Sequence, residues 1–372
     1  MRIAILHNRD HQLLEEDPGR EAREDVVRVA QAVHDALAGP KRDVELVGVG
    51  DDLFSLGTRL AGRTDLVVNL CESLAADARG EMLIPALLDV HALPYTGSGA
   101  LSLGLALHKP KAKELLRARG VATPDFAVVE SVAGVGAVAL PFPLIVKPSR
   151  EDASVGIDFD SVVHTRAALG RAVAQVVRTY RQPALVERFI EGQEIYVPLL
   201  GNAPRRALPL TRIEFGPSFA GKPQVLGYRA KWSPDSPEFT DSPSRPAQLD
   251  PALEARCVST ALEAFAALEC RDYGRVDLRV DASGQPYVID INPNCDLHPQ
   301  SGFATAAQAA GIGYADLALH LVELALERHH GDQAPVRRRP AAARRVAEPH
   351  RDVLAGGSVV RARAHRPRAH GR

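Results

Sequence analysis

A multidomain α/β protein built on a parallel sheet is the fold class this sequence predicts, and three observations carry the expectation. Segments of strand and helix length alternate over about the first hundred residues, joined by short polar connections. A hairpin signal between Gly274 and Asn292 sets acids at alternate positions of two apolar runs. The composition is that of a globular protein, 45% apolar and 24% charged over 372 residues, enough for two or three sizeable cores.

No run approaches the ~18 consecutive apolar residues that a membrane span needs. MRIAILHN opens directly as a strand, without the basic region, long apolar core and cleavage site of a signal peptide, so a cytoplasmic location is expected. Cys71, Cys257, Cys270 and Cys295 have neither metal-ligand spacing nor disulfide density, and reduced thiols are expected. The formal net charge of −1 conceals an asymmetry: residues 331–372 carry eleven arginines against Asp332, Glu348 and Asp352. That Pro-, Ala-, Arg- and Gly-rich tail lacks periodic apolar residues and is expected to be disordered. It has no aromatic residue to stack on a base, so a solvated extension is expected in preference to nucleic-acid binding.

Taken in order, Ile3 to Leu6 is a buried strand, Asp25 to Leu37 an amphipathic helix stopped by Gly39-Pro40, Val44 to Val49 a second strand and Leu66 to Leu70 a third. Parallel strands joined by helices are covered on both faces, and ligands collect in the loops at their C-terminal ends. Those loops are Asn8 to Arg23 and Cys71 to Gly80, the second containing Glu72, Asp77 and Arg79. Glu24 or Asp25 at the helix start suits a substrate ammonium group, although an acid in a first turn is more ordinarily explained by the helix dipole.

Pro94 to Ser98, PYTGS, is a turn opening a helical stretch, and Lys109 to Arg119 is a helix ended by Gly120. Phe142 to Val146 is a short apolar strand that delivers Lys147-Pro148. In the polar loop SREDASVGID that follows, Ala153, Ser154 and Gly156 are small enough for backbone amides to approach a phosphate. LVERFI and EGQEIYVPLL read as strand, turn, strand, with Glu187 and Glu194 on either side of Gly192. An adenine would meet backbone groups around Arg188, Phe189 and Ile190, and a carboxylate such as Glu194 would meet ribose hydroxyls. The Pro-, Gly- and Ser-rich residues 216–247 predict a long mobile loop of the kind that closes over a site. Ala252 to Leu268 is a helix, NCDLHPQSGF a loop and Ala315 to Glu327 a final helix.

The hairpin itself consists of Arg275 to Val280 and Pro286 to Ile291 around the turn residues Asp281, Ala282, Ser283 and Gly284. A four-residue loop closing Val280 onto Gln285 sets Arg275 opposite Asp290 and Asp277 opposite Val288. Arg275, Asp277, Asp290 and Asn292 then share one face, with the two aspartates as diagonal neighbours about 7–8 Å apart. Val276, Leu278, Tyr287, Ile289 and Ile291 form the other face. Converging carboxylates beside an amide oxygen suit Mg²⁺, while a half-exposed strand showing its acids to water is the alternative.

Lysine usage sharpens the choice. Of 45 basic residues only seven are lysines, at 41, 109, 111, 113, 147, 222 and 231. Lys147 stands at a strand end and Lys231 in the aromatic-flanked YRAKW; a compact ammonium suits a phosphate oxygen, with a snorkelling surface lysine as the alternative.

Together and in order, Tyr95-Thr96-Gly97-Ser98, Lys109, IVKPSREDASVG, LVERFIEGQE, YRAKW, GRVDLRVDASGQPYVIDIN and Ser301-Gly302 resemble the ATP-grasp superfamily and, within it, the D-alanine:D-alanine ligases. The similarity spans about residues 1–328 and leaves the basic tail outside. It implies that Lys109 and Lys147 contact ATP phosphates, that the loop Ser154, Val155, Gly156 covers them, and that Glu187 and Glu194 serve the adenine and ribose. It further implies a terminal-phosphate contact for Lys231, Mg²⁺ (or Mn²⁺) ligation by Asp277, Asp290 and Asn292, oxyanion stabilisation by Arg275 and a substrate-carboxylate contact for Ser301.

The sequence also departs from the family pattern. The glycine-rich N-terminal loop with its ammonium-binding glutamate is not visible in HNRDHQLLEEDPGREARED, and the His-Gly pair after the third strand reads Cys71-Glu72. The usual metal-binding glutamate is Asp290, a site-closing tyrosine is Trp232, and Ser-Pro-Gly-Met is replaced by Asn294-Cys295-Asp296-Leu297. Asp296 thereby stands where a glycine amide would meet the oxyanion.

The expectation is therefore a three-part ATP-grasp ligase: residues 1–105 as an N-terminal α/β domain, 106–192 as a central ATP-binding part, 193–330 as the metal-holding part and 331–372 as the tail. The resemblance implies amino-acid substrates, amide-bond formation through an acyl phosphate and a part in cell-wall biogenesis. A ligase for a different amino acid or peptide and a nucleotide-binding regulator without turnover are the competing readings, and a homodimer is left open.

Overall fold

A computed structural model describes residues 1–9, 20–50 and 52–333. Strand β1 (Arg2–Asn8) carries the apolar run Ile3 to Leu6, all of it buried, as expected of a strand covered on both faces. Helix α1 (Arg20–Leu37) lays Val26, Ala30, Val33 and Leu37 on that sheet at helical spacing. Strands β2 (Asp43–Val49) and β3 (Leu66–Asn69) flank β1 in a parallel sheet of order β2-β1-β3. Helix α2 (Leu53–Leu60), unforeseen in the sequence, starts on Asp52, whose carboxylate accepts from the Ser55 N–H at 3.2 Å. Its Gly57 is a packing requirement, because a Cβ there would fall 2.2 Å from the His91 ring. The side chains of residues 10–24, including most of the expected ligand loop after β1 and Glu24, lie outside the described residues.

Helices α3 (Leu83–Val90), α4 (Ala100–Leu107) and α5 (Lys109–Ala118) lead to an antiparallel sheet made of β4 (Phe126–Val129), β5 (Leu144–Pro148), β6 (Val162–Val163) and β7 (Ala184–Arg188), in the order β4-β7-β5-β6. Helix α6 (Arg166–Tyr180) covers it with Leu169, Val173 and Val176. The third sheet has β8 (Gln193–Leu200), β9 (Arg206–Ala207) and β10 (Thr211–Ile213), then β11 (Ser244–Pro246), β12 (Tyr273–Val280) and β13 (Pro286–Asn292). Its order is β11-β10-β8-β12-β13, with β9 also paired to β8. Helix α9 (Pro251–Ala267) buries Cys257, Ala261, Ala264 and Phe265 in the core beneath β8, β12 and β13.

The structure corrects two loop expectations. Residues 216–247 are not one long loop: they hold α7 (Tyr228–Trp232) and α8 (Pro237–Thr240), the latter capped by Ser236. The loop after the hairpin ends early, because Ser301 caps α10 (Gly302–Ala309), accepting from the Ala304 N–H at 3.3 Å, ahead of α11 (Tyr314–Gln333). Among the described residues no single helix is long and apolar enough to cross a membrane. The four cysteines are buried and free of disulfides.

The hairpin register also differs from the expected one. Asp281 draws Gln285 into the turn, its carboxylate accepting from Ser283 N at 2.9 Å and Gln285 N at 3.1 Å, so Val280 pairs with Pro286. A β-bulge between Asp277 and Leu278 then leaves Ile289 as the extra residue. Asp277 consequently lies directly opposite Asp290, and Arg275 opposite Asn292, rather than on a diagonal. Two one-residue shifts preserve parity, so the four polar residues still share a face. Val288 takes the core position instead, 1% exposed, while Ile289 turns into the cleft and Tyr287 lies under the Arg188 guanidinium at 5.2 Å.

Candidate active site

A cleft of about 780 Å³, its open mouth included, is walled by β5 and β7 on one side and by β8, β12 and β13 on the other. Lys109, Lys147, Ser154, Glu187, Arg188, Phe189, Ile190, Glu194, Lys231, Asp277, Asp290 and Asn292 all line it. The elements that carry them start at positions far apart in sequence, so the grouping is a product of folding.

Buried ion pairs make the floor. Lys109, 5% exposed, donates to Asp290 at 2.8 and 2.9 Å and to Asp152 at 2.9 Å. Burial disfavours its charge, but Asp152 and Asp290 outweigh that and hold the ammonium protonated. Glu187 receives Lys113 at 2.7 Å and Lys147 at 2.9 Å. Burial pushes its carboxyl up, yet the two ammonium groups overcome this and keep it below the ordinary range. Burial likewise works against the Asp290 charge, and Lys109 and Lys147 reverse the direction.

On the wall formed by β8, Glu194 accepts from Tyr196 Oη at 2.9 Å and pairs with Arg279 at 3.0 Å. Arg279 also donates to the carbonyls of Ile190 at 3.0 Å and Gln224 at 2.8 Å, and its guanidinium lies 5.1 Å from the Phe189 ring centroid. This fixes the Arg188 to Ile190 segment against the strand bearing Asp277. Arg279, Tyr196 and Lys113 escaped the sequence reading. Arg279 alternates with Asp277 and so had to share its face, and Lys113 lies one helical turn beyond Lys109; those were the available signals.

The small-residue loop is held in tight turns. Ala153, Ser154 and Gly156 have φ of 55°, 60° and 77°, and a Cβ on Gly156 would approach Pro148 Cγ to 2.7 Å. Ser154 Oγ donates to Leu226 O at 2.9 Å, and Trp232 Nε1 donates to Ala153 O at 2.9 Å. Residues of the 216–247 segment thus already clasp the loop. Val155 is buried and neither it nor Gly156 lines the cleft. Lys231 reaches the cleft from α7; burial, then the Arg275 charge, lowers its pKa.

Arg275 and Ser301 are outside the cleft lining. Arg275 grips Asp277 with Nε at 2.6 Å and Nη2 at 2.8 Å, over the Tyr196 ring at 4.5 Å. Burial raises the Asp277 pKa, opposed by that pairing. Beyond β13, Asn294 donates to Cys71 O and to Glu81 Oε1, each at 3.0 Å, and burial drives the Glu81 carboxyl well above its usual range. Asp296, its pKa raised by burial, accepts from the His298 N–H and lies within electrostatic range of Asp25 and Arg275. Asp25, expected at the helix start, is paired with Arg28 at 2.7 Å, and Asp77 of the expected loop with Arg79, so both acids have local partners.

The donor chemistry around Asp277, Asp290 and Asn292 suits a hard divalent cation: two opposed carboxylates with an amide beside them. Among the described residues no three His, Cys, Asp or Glu side chains gather as a metal site. A cation here would therefore draw on Asn292 and on substrate phosphate oxygens, as Mg²⁺ commonly does.

The family model for the D-ala D-ala ligase C-terminus matches residues 115–323. The uncharacterized protein y4sG of Sinorhizobium fredii is 38% identical over 73% of this chain and 78% of its own length. A D-alanine–D-alanine ligase of Desulforamulus reducens is 31% identical over 83% of this chain and 96% of its own length. The crystal structure of D-alanine–D-alanine ligase from Bacillus anthracis complexed with ATP, 22% identical, has a TM-score of 0.68 and covers 89% of this chain and 99% of that one, a likeness of fold. With its parallel three-stranded sheet and the two antiparallel sheets around the cleft, the protein has the ATP-grasp fold and belongs to the D-alanine–D-alanine ligase family of enzymes.

Proposed function

We propose that the protein is an ATP- and Mg²⁺-dependent carboxylate–amine ligase that joins two amino acids, D-alanine foremost, through an acyl phosphate. The observation that carries this reading is the opposition, in one cleft, of Lys109, Lys147 and Lys231 to Asp277, Asp290 and Asn292. Phosphoryl transfer asks the protein mainly to position and to balance charge, which such a set can do. Residues 1–105, 106–192 and 193–330 are assigned to the three parts expected from the sequence.

The purine is assigned to the Arg188 to Ile190 segment and the ribose to Glu194, whose orientation Arg279 and Tyr196 fix. Lys147 and Lys231 hold phosphate oxygens while the small-residue loop, clasped by Trp232, keeps water from the γ-phosphate. Mg²⁺, held by Asp277, Asp290 and Asn292, would supply charge neutralisation on the β- and γ-phosphates. The carboxylate of the first amino acid attacks the γ-phosphorus and ADP leaves. The amine of the second then attacks the acyl carbon, Arg275 steadies the oxyanion, and phosphate departs. Ser301 is assigned to the carboxylate of the second substrate.

A different acceptor is the second reading, favoured by one observation: Asp296 places a carboxyl within electrostatic range of Arg275. Phosphate release from MgATP against a panel of D- and L-amino acids, with product masses read in parallel, separates the two. Release with D-alanine and a D-alanyl-D-alanine mass supports the first. Release only with another amino acid moves the assignment to the second, and ATP binding without release across the panel supports a regulator without turnover.

A further inference from the structure

Lys113 does not line the cleft, yet it holds the cleft together from behind. It sits on α5 one turn beyond Lys109, is 3% exposed, and its ammonium reaches Glu187 at 2.7 Å and Thr123 Oγ1 at 2.6 Å. The Thr123 hydroxyl in turn donates to Val288 O at 2.7 Å, and Val288 N donates to Ala122 O at 2.9 Å. The residue just before the bulge is thereby tied at both its amide and its carbonyl. Lys147, the other cation on Glu187, lies 3.4 Å from the next carbonyl, that of Ile289. The two ammonium groups that share Glu187 are therefore also tied to successive carbonyls, Lys147 directly to Ile289 O and Lys113 through Thr123 to Val288 O.

Ala112 and Leu116 of α5 share a buried core with Val288 and Ile291, so these polar ties add direction to a packed contact. The bulge is what brings Asp277 opposite Asp290. On these observations, and resting on the ligase reading above, we infer that Lys113 is a positioning residue: through Glu187 it sets Lys147, and through Thr123 it sets the bulge, so it tunes nucleotide binding without touching the nucleotide.

The groups facing Lys113 are Glu187 from β7, Lys147 from β5, Asp290 from β13 and the Phe126 ring of β4 at 5.9 Å. Burial, opposed by Glu187, lowers its pKa to about 8, so it is charged at neutral pH and loses that charge on the mildly alkaline side.

The test is MgATP affinity by calorimetry from about pH 6.5 to about pH 9.5 for the full-length wild type, Lys113→Met and Thr123→Val. Lys113→Met should bind about 10–100-fold more weakly than wild type near neutral pH, the range usual for loss of a residue that orients ligand-contacting groups. The ratio of the two affinities should shrink as pH rises through about 8, where the wild-type lysine becomes neutral too. Taking the ratio cancels the titration of Lys231, which both proteins share. Thr123→Val should weaken binding severalfold while keeping the wild-type pH dependence, and it carries the test if Lys113→Met does not fold. A folded Lys113→Met that binds like wild type, a ratio that does not change with pH, or an unaffected Thr123→Val overturns the inference and leaves the ligase reading standing. A wild type that binds no ATP at any pH overturns the ligase reading, and this inference with it.

Discussion

On the side of the cleft assigned to the nucleotide, Glu187 is committed to two lysines, Lys109 to two aspartates, and Glu194 to Arg279 and Tyr196. Toward Arg275 and Ser301 the construction is different. Arg275 is held by the same Asp277 assigned to the cation, Ser301 serves as a helix cap, and Asn294 and Asp296 stand where the sequence departs from the family pattern, Asn294 donating to Glu81. Under the proposed assignment, the groups given to the nucleotide are prewired in buried ion pairs, whereas those given to the amino acids have structural duties of their own. Variation in substrate can then occur without dismantling the phosphate machinery.

The comparison breaks most sharply at Asp290. Asp290→Ala should lower Mg²⁺-dependent turnover by about a thousandfold or more, through loss of both the cation ligand and the Lys109 partner. Phosphate release within tenfold of wild type would remove Asp290 from the site. Glu187→Gln should cost about 3–5 kcal/mol of stability in urea unfolding, because two buried ammonium groups lose their shared anion. The folded pKa of Glu187 is depressed below its ordinary 4.5, so its contribution is present above that value and is lost as pH falls through the folded value. Wild type should therefore lose more stability on acidification than Glu187→Gln; equal acid sensitivity would contradict the pairing.

Arg275→Met sharpens the other side. It should reduce kcat about a hundredfold while leaving MgATP affinity within a few-fold, as expected for a donor used at the tetrahedral intermediate. A collapse of ATP affinity instead would make Arg275 part of the nucleotide machinery. The smallest effect is expected from Trp232→Phe, which removes the indole donor to Ala153 O and should cost about 1 kcal/mol, visible as a severalfold rise in KM for ATP with kcat nearly unchanged.

Much of this arrangement was legible in the sequence, and the exceptions have physical causes. Strand parity survived an error of register because the Asp281-capped turn and the bulge at Ile289 each add one residue, and two such shifts return the acids to one face. Val288 and Ile289 could not be assigned in the same way, since a bulge leaves no mark in an all-apolar run. The helix Tyr228–Trp232 was hidden among prolines and glycines, as propensity over five residues is outweighed by contacts such as the Tyr228 N–H donating to Ile157 O at 2.9 Å. Spacing could place Arg279 on the face of Asp277 and Lys113 on the side of Lys109, but it could not name their partners Glu194 and Glu187 on other strands.

In the proposed reaction a substrate carboxylate becomes an acyl phosphate. The most direct measurement uses D-alanine labelled with ¹⁸O in its carboxylate, together with MgATP, and reads the mass of the phosphate released. One labelled oxygen should be transferred to phosphate for each amide bond formed, because the attacking carboxylate oxygen leaves with phosphorus when the amine displaces it. Phosphate that carries only oxygen from ATP and solvent, released alongside dipeptide, would contradict that reaction.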